Sequence, residues 1–397
     1  MALSENDHDE VLMHRRALIV ILISLFSAML GVGLISPLIP VYASSLGAGG
    51  LWLGIIFSSF SLTRTLFMPI VGAVSDRIGR KIFLVAGLMI YSISSLGYVM
   101  ADGLADLAVS RCIQGFAAAM IIPIAYAYTG DITPRDREGS VMGLFNLAIF
   151  MGFGLGPLMG GVLKDSFSID TSFYAMGAFT AVACLLVIFL LPRSPFTPRP
   201  HDSFTNQILR VIRRRRMIGL MAFRFATSIG RGSLFVFIPI FASHELDLSS
   251  SMIGLILTVH LLVLSIVQLP IGWLADRVDR RSLVLTGALS FAACLFLIPM
   301  IDSFSQIMVL HIVMGITGAI SLPPATAMVL EEGRDLGMGS SMSIFQISMS
   351  FGLVLGPLVG GTIYDLFGLM PIFYFAGVAG FAGSALFAIL VRKKPAN

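Results

Sequence analysis

Six cationic or basic side chains stand inside stretches of this sequence that are otherwise almost wholly apolar: Arg64, Arg111, Arg224, Arg231, His260 and His311. In hydrocarbon an arginine near a helix centre costs about 2.5–3.5 kcal/mol, so each one needs a partner or a wet cavity. Opposite charges are missing from the same stretches. Asp131, Glu331 and Glu332 stand at the ends of apolar runs, and Asp165, Asp170, Asp302 and Asp365 stand at the turns on the other side. Guanidinium groups without carboxylates suit a carboxylate, a phosphate or another strong acceptor. The chemistry on offer is reversible recognition of an anionic or hydrogen-bonding organic molecule, not covalent catalysis.

The six do not carry equal weight. Arg231 lies deep in its run, within Gly230-Arg231-Gly232, and shares a helix face with Arg224 and Ser228, since seven residues return a helix to nearly the same angle. It is the sharpest candidate ligand. Arg224 lies nearer the end of the run, where a long cation is expected to snorkel to the interface. Arg64 stands beside Ser61, and Arg111 stands beside Gln114 one turn on. A cavity role and a structural role hydrogen-bonding helix carbonyls are equally open for Arg111. His260 and His311 read first as hydrogen-bonding partners of a neighbouring helix, and carriage of a proton stays open because histidine titrates near physiological pH. Asn146 and Gln346 are matched amides, read as helix–helix contacts before ligands.

Helices in a membrane must position these groups. The chain has 397 residues, 56% hydrophobic and 12% charged, with mean hydropathy +0.92, against about 25% charged in soluble proteins. Twelve apolar runs of about 20 residues lie between residues 16 and 391, too long for barrel strands. The predicted fold is an all-α polytopic membrane protein. Of the 26 lysines and arginines, 21 fall on the side of the N-terminus, four lie inside runs, and Lys164 alone falls in a loop on the far side. Positive charge is retained inside, so both termini are expected in the cytoplasm, at the inner membrane of a prokaryotic-type cell. The basic stretch Leu209–Arg216 is expected to touch inner-leaflet lipids, not nucleic acid. Cys112, Cys184 and Cys294 read as packing residues, and no metal or cofactor is expected. Arg15-Arg16 imitate the start of a signal peptide, but the long run after them is expected to stay as the first membrane helix.

The two halves repeat. "VGAVSDRIGRK" (Val71–Lys81) returns as "IGWLADRVDRR" (Ile271–Arg281), and "GFGLGPLMGG" (Gly152–Gly161) as "GLVLGPLVGG" (Gly352–Gly361), each two hundred residues on. Two pseudo-symmetric six-helix bundles are predicted, 1–192 and 217–397, joined by a cytoplasmic linker at 193–216. Twofold repetition is a common plan of transporters, with substrate bound between the repeats. Gly152, Gly156 and Gly160 share one helix face and admit a close neighbour, while Pro157 removes a backbone donor and bends the helix. Gly352, Gly356, Pro357 and Gly360 repeat that design.

Gly72, Asp76, Arg77, Gly79, Arg80 and Lys81 together resemble the hallmark loop of the major facilitator superfamily. Arg111, Gln114 and Gly115 resemble its fourth-helix motif, and Gly143, Gly152, Gly156, Pro157, Gly160 and Gly161 resemble the fifth-helix motif of its drug/proton antiporters. The resemblance covers essentially the whole chain. It implies a monomeric exporter working by rocker-switch alternating access, powered by a proton gradient. It further implies that Asp76 meets the start of the eleventh span near Gly337–Ser341, that Arg77 or Arg80 reaches Asp131, and that the fifth helix packs on the eighth and the eleventh on the second. Asp276, Arg277 and Arg280 form a second loop, in which Asp279 replaces Gly79, so the first loop is expected to gate more strongly. Exporters of cationic drugs hold an embedded acid, and the first span here has none. The expected substrate is therefore a small amphipathic or anionic organic molecule, with multidrug antiport of cations or flipping of a lipid or lysolipid as alternatives. Against an enzyme, no HExxH, GxSxG or phosphate loop occurs. Against a receptor, no soluble signalling domain is seen.

Overall fold

The structure, a computed structural model, describes residues 5–133, 138–192, 213–336 and 338–391. Among them, twelve helices are long and apolar enough to span a bilayer. They are α1 (Glu5–Ile35, continued beyond a break by Leu38–Ser45), α2 (Gly50–Ile78), α3 (Arg80–Val99), α4 (Leu104–Ile132), α5 (Glu138–Ser166), α6 (Ile169–Leu190), α7 (Arg215–His244), α8 (Ser250–Ala275), α9 (Arg280–Leu297), α10 (Phe304–Leu336), α11 (Met338–Phe367) and α12 (Met370–Leu390). The break in α1 falls at Ser36-Pro37. Its counterpart α7 carries only Pro239 and runs on unbroken. Residues 193–212 of the expected linker and Gly337 lie outside the described residues.

Side-chain chemistry sets many of the helix ends. Ser168 and Ser249 accept from the backbone of Thr171 and Met252 and so cap α6 and α8. Asp106 turns back to the Gly103 N–H at the start of α4. Between α2 and α3 the chain turns through Gly79 at φ +112°, a conformation that side chains resist.

The two bundles are built alike. In the first, α1 packs on α5 and α6, α4 on α2 and α3, and α3 on α6; in the second, α7 packs on α11 and α12, α10 on α8 and α9, and α9 on α12. Between bundles, α2 lies along α11 and α5 along α8. Large apolar side chains such as Ile93, Val109, Val309 and Val378 remain on the outer surface, as lipid requires.

The glycine stripes serve the bundles from within. A Cβ at Gly152, Gly156 or Gly160 would run into Phe26, Gly33 or Leu34, all on α1. Gly352 and Gly356 likewise press on Phe225 and Ile229 of α7, and Gly360 on the Phe237 ring. The close neighbour of each stripe is thus inside its own bundle. The helices of the opposite bundle are met by the other face: Gly161 abuts Ser250, Gly254 abuts the Pro157 carbonyl, Gly361 abuts Gly50, and Gly54 abuts the Pro357 carbonyl.

Eighteen residues make five full turns of helix. Gly72 therefore lies below Gly54 on one face of α2, Gly272 below Gly254 on α8, and Gly143 below Gly161 on α5. The upper member of each pair is jammed against the other bundle, whereas a Cβ on the lower member would find no atom of the described residues within 4 Å. The paired helices touch at the face distal to the termini and part toward the face that carries them. Among the described residues, the bundles stand apart there and leave a cleft between them on the terminal face.

Candidate functional site

Arg231, His260 and His311 of the second bundle converge where α7, α8 and α10 meet. Arg231 extends from α7 toward Gly318 of α10, whose Cβ would stand 3.4 Å from its Nη2. Its guanidinium is half-buried and has no hydrogen-bond or ion-pair partner among the described residues. None of its nitrogens is sealed off. His260 Nδ1 lies 3.0 Å from the His311 carbonyl oxygen, and His311 Nδ1 lies 3.0 Å from that of Ile307. Each Nδ1 must carry the hydrogen to donate there, which leaves Nε2 of each neutral ring as an acceptor. The two rings stand edge to face at 5.7 Å, and His311 Nε2 is buried without a partner. Arg224 does not snorkel: it is 6% exposed, sits 5.2 Å over the Phe345 ring and donates to Met349 Sδ. An aromatic face inside the protein holds this cation as well as the interface would.

In the first bundle the arrangement is structural. Gln114 is fully buried; its Oε1 accepts from Tyr98 Oη at 2.6 Å and Arg111 Nη1 at 2.9 Å, while its Nε2 donates to Tyr91 Oη at 2.7 Å. Arg111 stacks over Phe57 and Phe60 at 5.1 and 4.9 Å. This knot ties α4 to α2 and α3 and engages the Arg111 guanidinium and the Gln114 amide inside the bundle. Arg64 lies 6.0 Å from the Phe60 ring, with its Nε buried and unpartnered. Asn146 is exposed, and its Oδ1 accepts from Tyr126 Oη at 2.6 Å, linking α5 to α4. Gln346 is exposed and has no hydrogen-bond partner among the described residues. Every carboxylate of the described residues lies in a loop or in the terminal turns of a helix.

At the terminal face both charged loops hold their own bundles. Arg80, not Arg77, reaches Asp131, at 2.8 Å, and also pairs with Asp76 at 3.4 Å. In the second copy Arg280 pairs with Asp276 at 2.9 Å and with Glu331, and Arg216 joins Glu331 and Glu332 at 3.2 and 2.9 Å. Among the described residues, Arg77 and Arg277 form no ion pair. At the position of Gly79 the second loop carries Asp279. It caps α9 by accepting from the backbone and hydroxyl of Ser282, so its side chain does what positive φ does at Gly79. Lys81 and Arg281 each donate to a carbonyl near the end of α6 or α12, those of Ile188 and Ala388.

At the distal face the bundles are joined by two carboxylates that the sequence reading placed only as turn residues. Asp165, at the end of α5, accepts from the Ser250 and Ser251 backbones of α8 at 3.3 and 2.6 Å, and from the Ser251 hydroxyl at 2.6 Å. Asp365, at the end of α11, accepts from Gly50 and Leu51 of α2 at 2.5 and 2.8 Å. Lys164 adds a bond to Ser250 Oγ at 2.7 Å. The signal was present in the sequence, since each aspartate follows the repeated Gly-Gly pair by four residues in both halves.

The family model described as Major Facilitator Superfamily matches residues 21–229 and 220–397. Multidrug resistance protein 1 of Bacillus subtilis is 29% identical over 96% of this chain and 97% of its own length. An uncharacterized MFS-type transporter of Methanocaldococcus jannaschii is 27% identical over 94% and 95%. A bacterial homologue of the human lysosomal transporter Spinster, crystallised inward-facing and occupied, superposes with TM-score 0.81 at 14% identity over 96% of this chain and 98% of that one.

Proposed function

Since the chain belongs to the major facilitator superfamily, a family of membrane transporters, we propose that it exports a small amphipathic or anionic organic molecule by rocker-switch alternating access, with its termini in the cytoplasm of a prokaryotic cell. One observation carries the substrate class: Arg231 holds an unpartnered guanidinium at the junction of α7, α8 and α10, in spans whose interiors lack any carboxylate among the described residues. A bound carboxylate or phosphate would supply the missing partner.

Energetics favour the outward direction. An inside-negative potential contributes about 2.3 kcal/mol per charge per 100 mV to the exit of an anion. For a neutral amphiphile the proposed source is the proton gradient, with His260 and His311 the embedded groups able to take a proton. In this reading Arg64 faces the same traffic from the first bundle, and the charged loops close the terminal face when the cleft opens distally. The multidrug reading rests on the Bacillus subtilis relative, whose name concerns many drugs. Uptake into proteoliposomes separates the two readings. Transport of an organic anion that is lost in Arg231→Ala supports the proposal, and transport of cationic dyes that survives the substitution refutes it.

A further inference from the structure

We infer that Asp165 and Asp365 are paired clamps that lock the distal face shut, one on each cross-bundle helix pair. The inference rests on the alternating-access reading and adds the residues that set its balance. Asp365, from the last turns of α11, receives the first N–H groups of α2, while Asp165, from the last turns of α5, receives those of α8. The first N–H groups of a helix have no partner within it and carry partial positive charge. A carboxylate from the opposite bundle satisfies both needs. Glycines make the approach possible: Gly49 and Gly50 stand against Asp365 and α11, and Gly161 and Gly361 admit the helix start of the other bundle.

The terminal face holds the complementary parts. Asp76 closes α2 and Asp276 follows α8, so the aspartates stand at the opposite ends of the helices that the distal clamps hold. Here they pair with Arg80 and Arg280 of their own bundles, and Gly72, Gly143 and Gly272 nearby face open space. The distal clamps are made while, among the described residues, the ion pairs of the loops at the terminal face lie within their own bundles. Rocking one bundle exchanges one set of contacts for the other.

The test is the distance across the distal face, read by spin labels at Asp102→Cys and Asp302→Cys in a protein whose three native cysteines are alanine. Asp165→Asn and Asp365→Asn keep the shape but remove the charge. Each is expected to raise the distally open population about threefold, and the double variant about tenfold, as partly exposed charges at helix starts do. Asp76→Asn is expected to shift the population the other way. Asp170→Asn, in the first turn of α6, is expected to change nothing. If the wild type exchanges between two distances and the double variant does not move them, the clamp inference is overturned. A wild type fixed at one distance under every condition overturns the alternating-access reading beneath it.

Discussion

Arg231 and Gln114 resemble each other as polar groups in an apolar run, and their surroundings separate them. Among the described residues Gln114 is held by four partners, Tyr91, Tyr98, Arg111 and Met176, and Arg231 by none. Gln114→Ala would remove the hydrogen bonds that the buried Tyr91, Tyr98 and Arg111 make to its amide, at a cost of roughly 1–3 kcal/mol for each buried group left unsatisfied. It is expected to lower the unfolding midpoint in detergent by several degrees and leave substrate affinity in the surviving protein unchanged. Arg231→Ala is expected to do the reverse: a normal midpoint, with affinity for an organic anion lower by about tenfold or more, the worth of a charge-assisted bond. Arg231→Lys is expected to recover only part, because a point charge does not reproduce the planar fork. Composition and spacing located every embedded charge. They could not tell a satisfied group from an open one, since the partners Tyr91 and Tyr98 belong to a different helix, and Phe345, which seats Arg224, lies more than a hundred residues away.

At the scale of elements, the repeat made the twelve helices and their two-bundle plan legible, because hydropathy and helix length are local properties. The direction each glycine faces was not, since it depends on the helix that arrives opposite. Gly156 meets the Cα of Gly33, so Gly156→Val is expected to separate α1 from α5 and abolish folded protein, read as loss of the monodisperse peak in detergent. Gly72 meets nothing in this state. Gly72→Val is expected to fold with a normal midpoint yet transport poorly, because α2 and α11 must close over that position when the cleft turns outward. Normal transport by Gly72→Val would mean that these helices never meet there. The repeated charged loops were recognisable as loops, but the equivalence of Asp279 and Gly79 was not, since one turns the chain with a side chain and the other with its backbone.

For the whole molecule, the proposed export rests on three features together: an apolar exterior, a cleft between the described parts of the bundles on the terminal face, and an unpaired cation inside. A membrane-impermeant maleimide applied to Gly143→Cys in inside-out vesicles is expected to label it readily without substrate, and more slowly once a transported anion cycles the protein. Equal labelling in both conditions would leave the cleft a fixed vestibule. The most direct measurement is flux through purified protein in liposomes, with an organic anion and a cationic dye compared, with and without a pH gradient, for wild type and Arg231→Ala. The account predicts anion flux in the wild type that the substitution abolishes. Flux of the cationic dye alone, undiminished in Arg231→Ala, would contradict it.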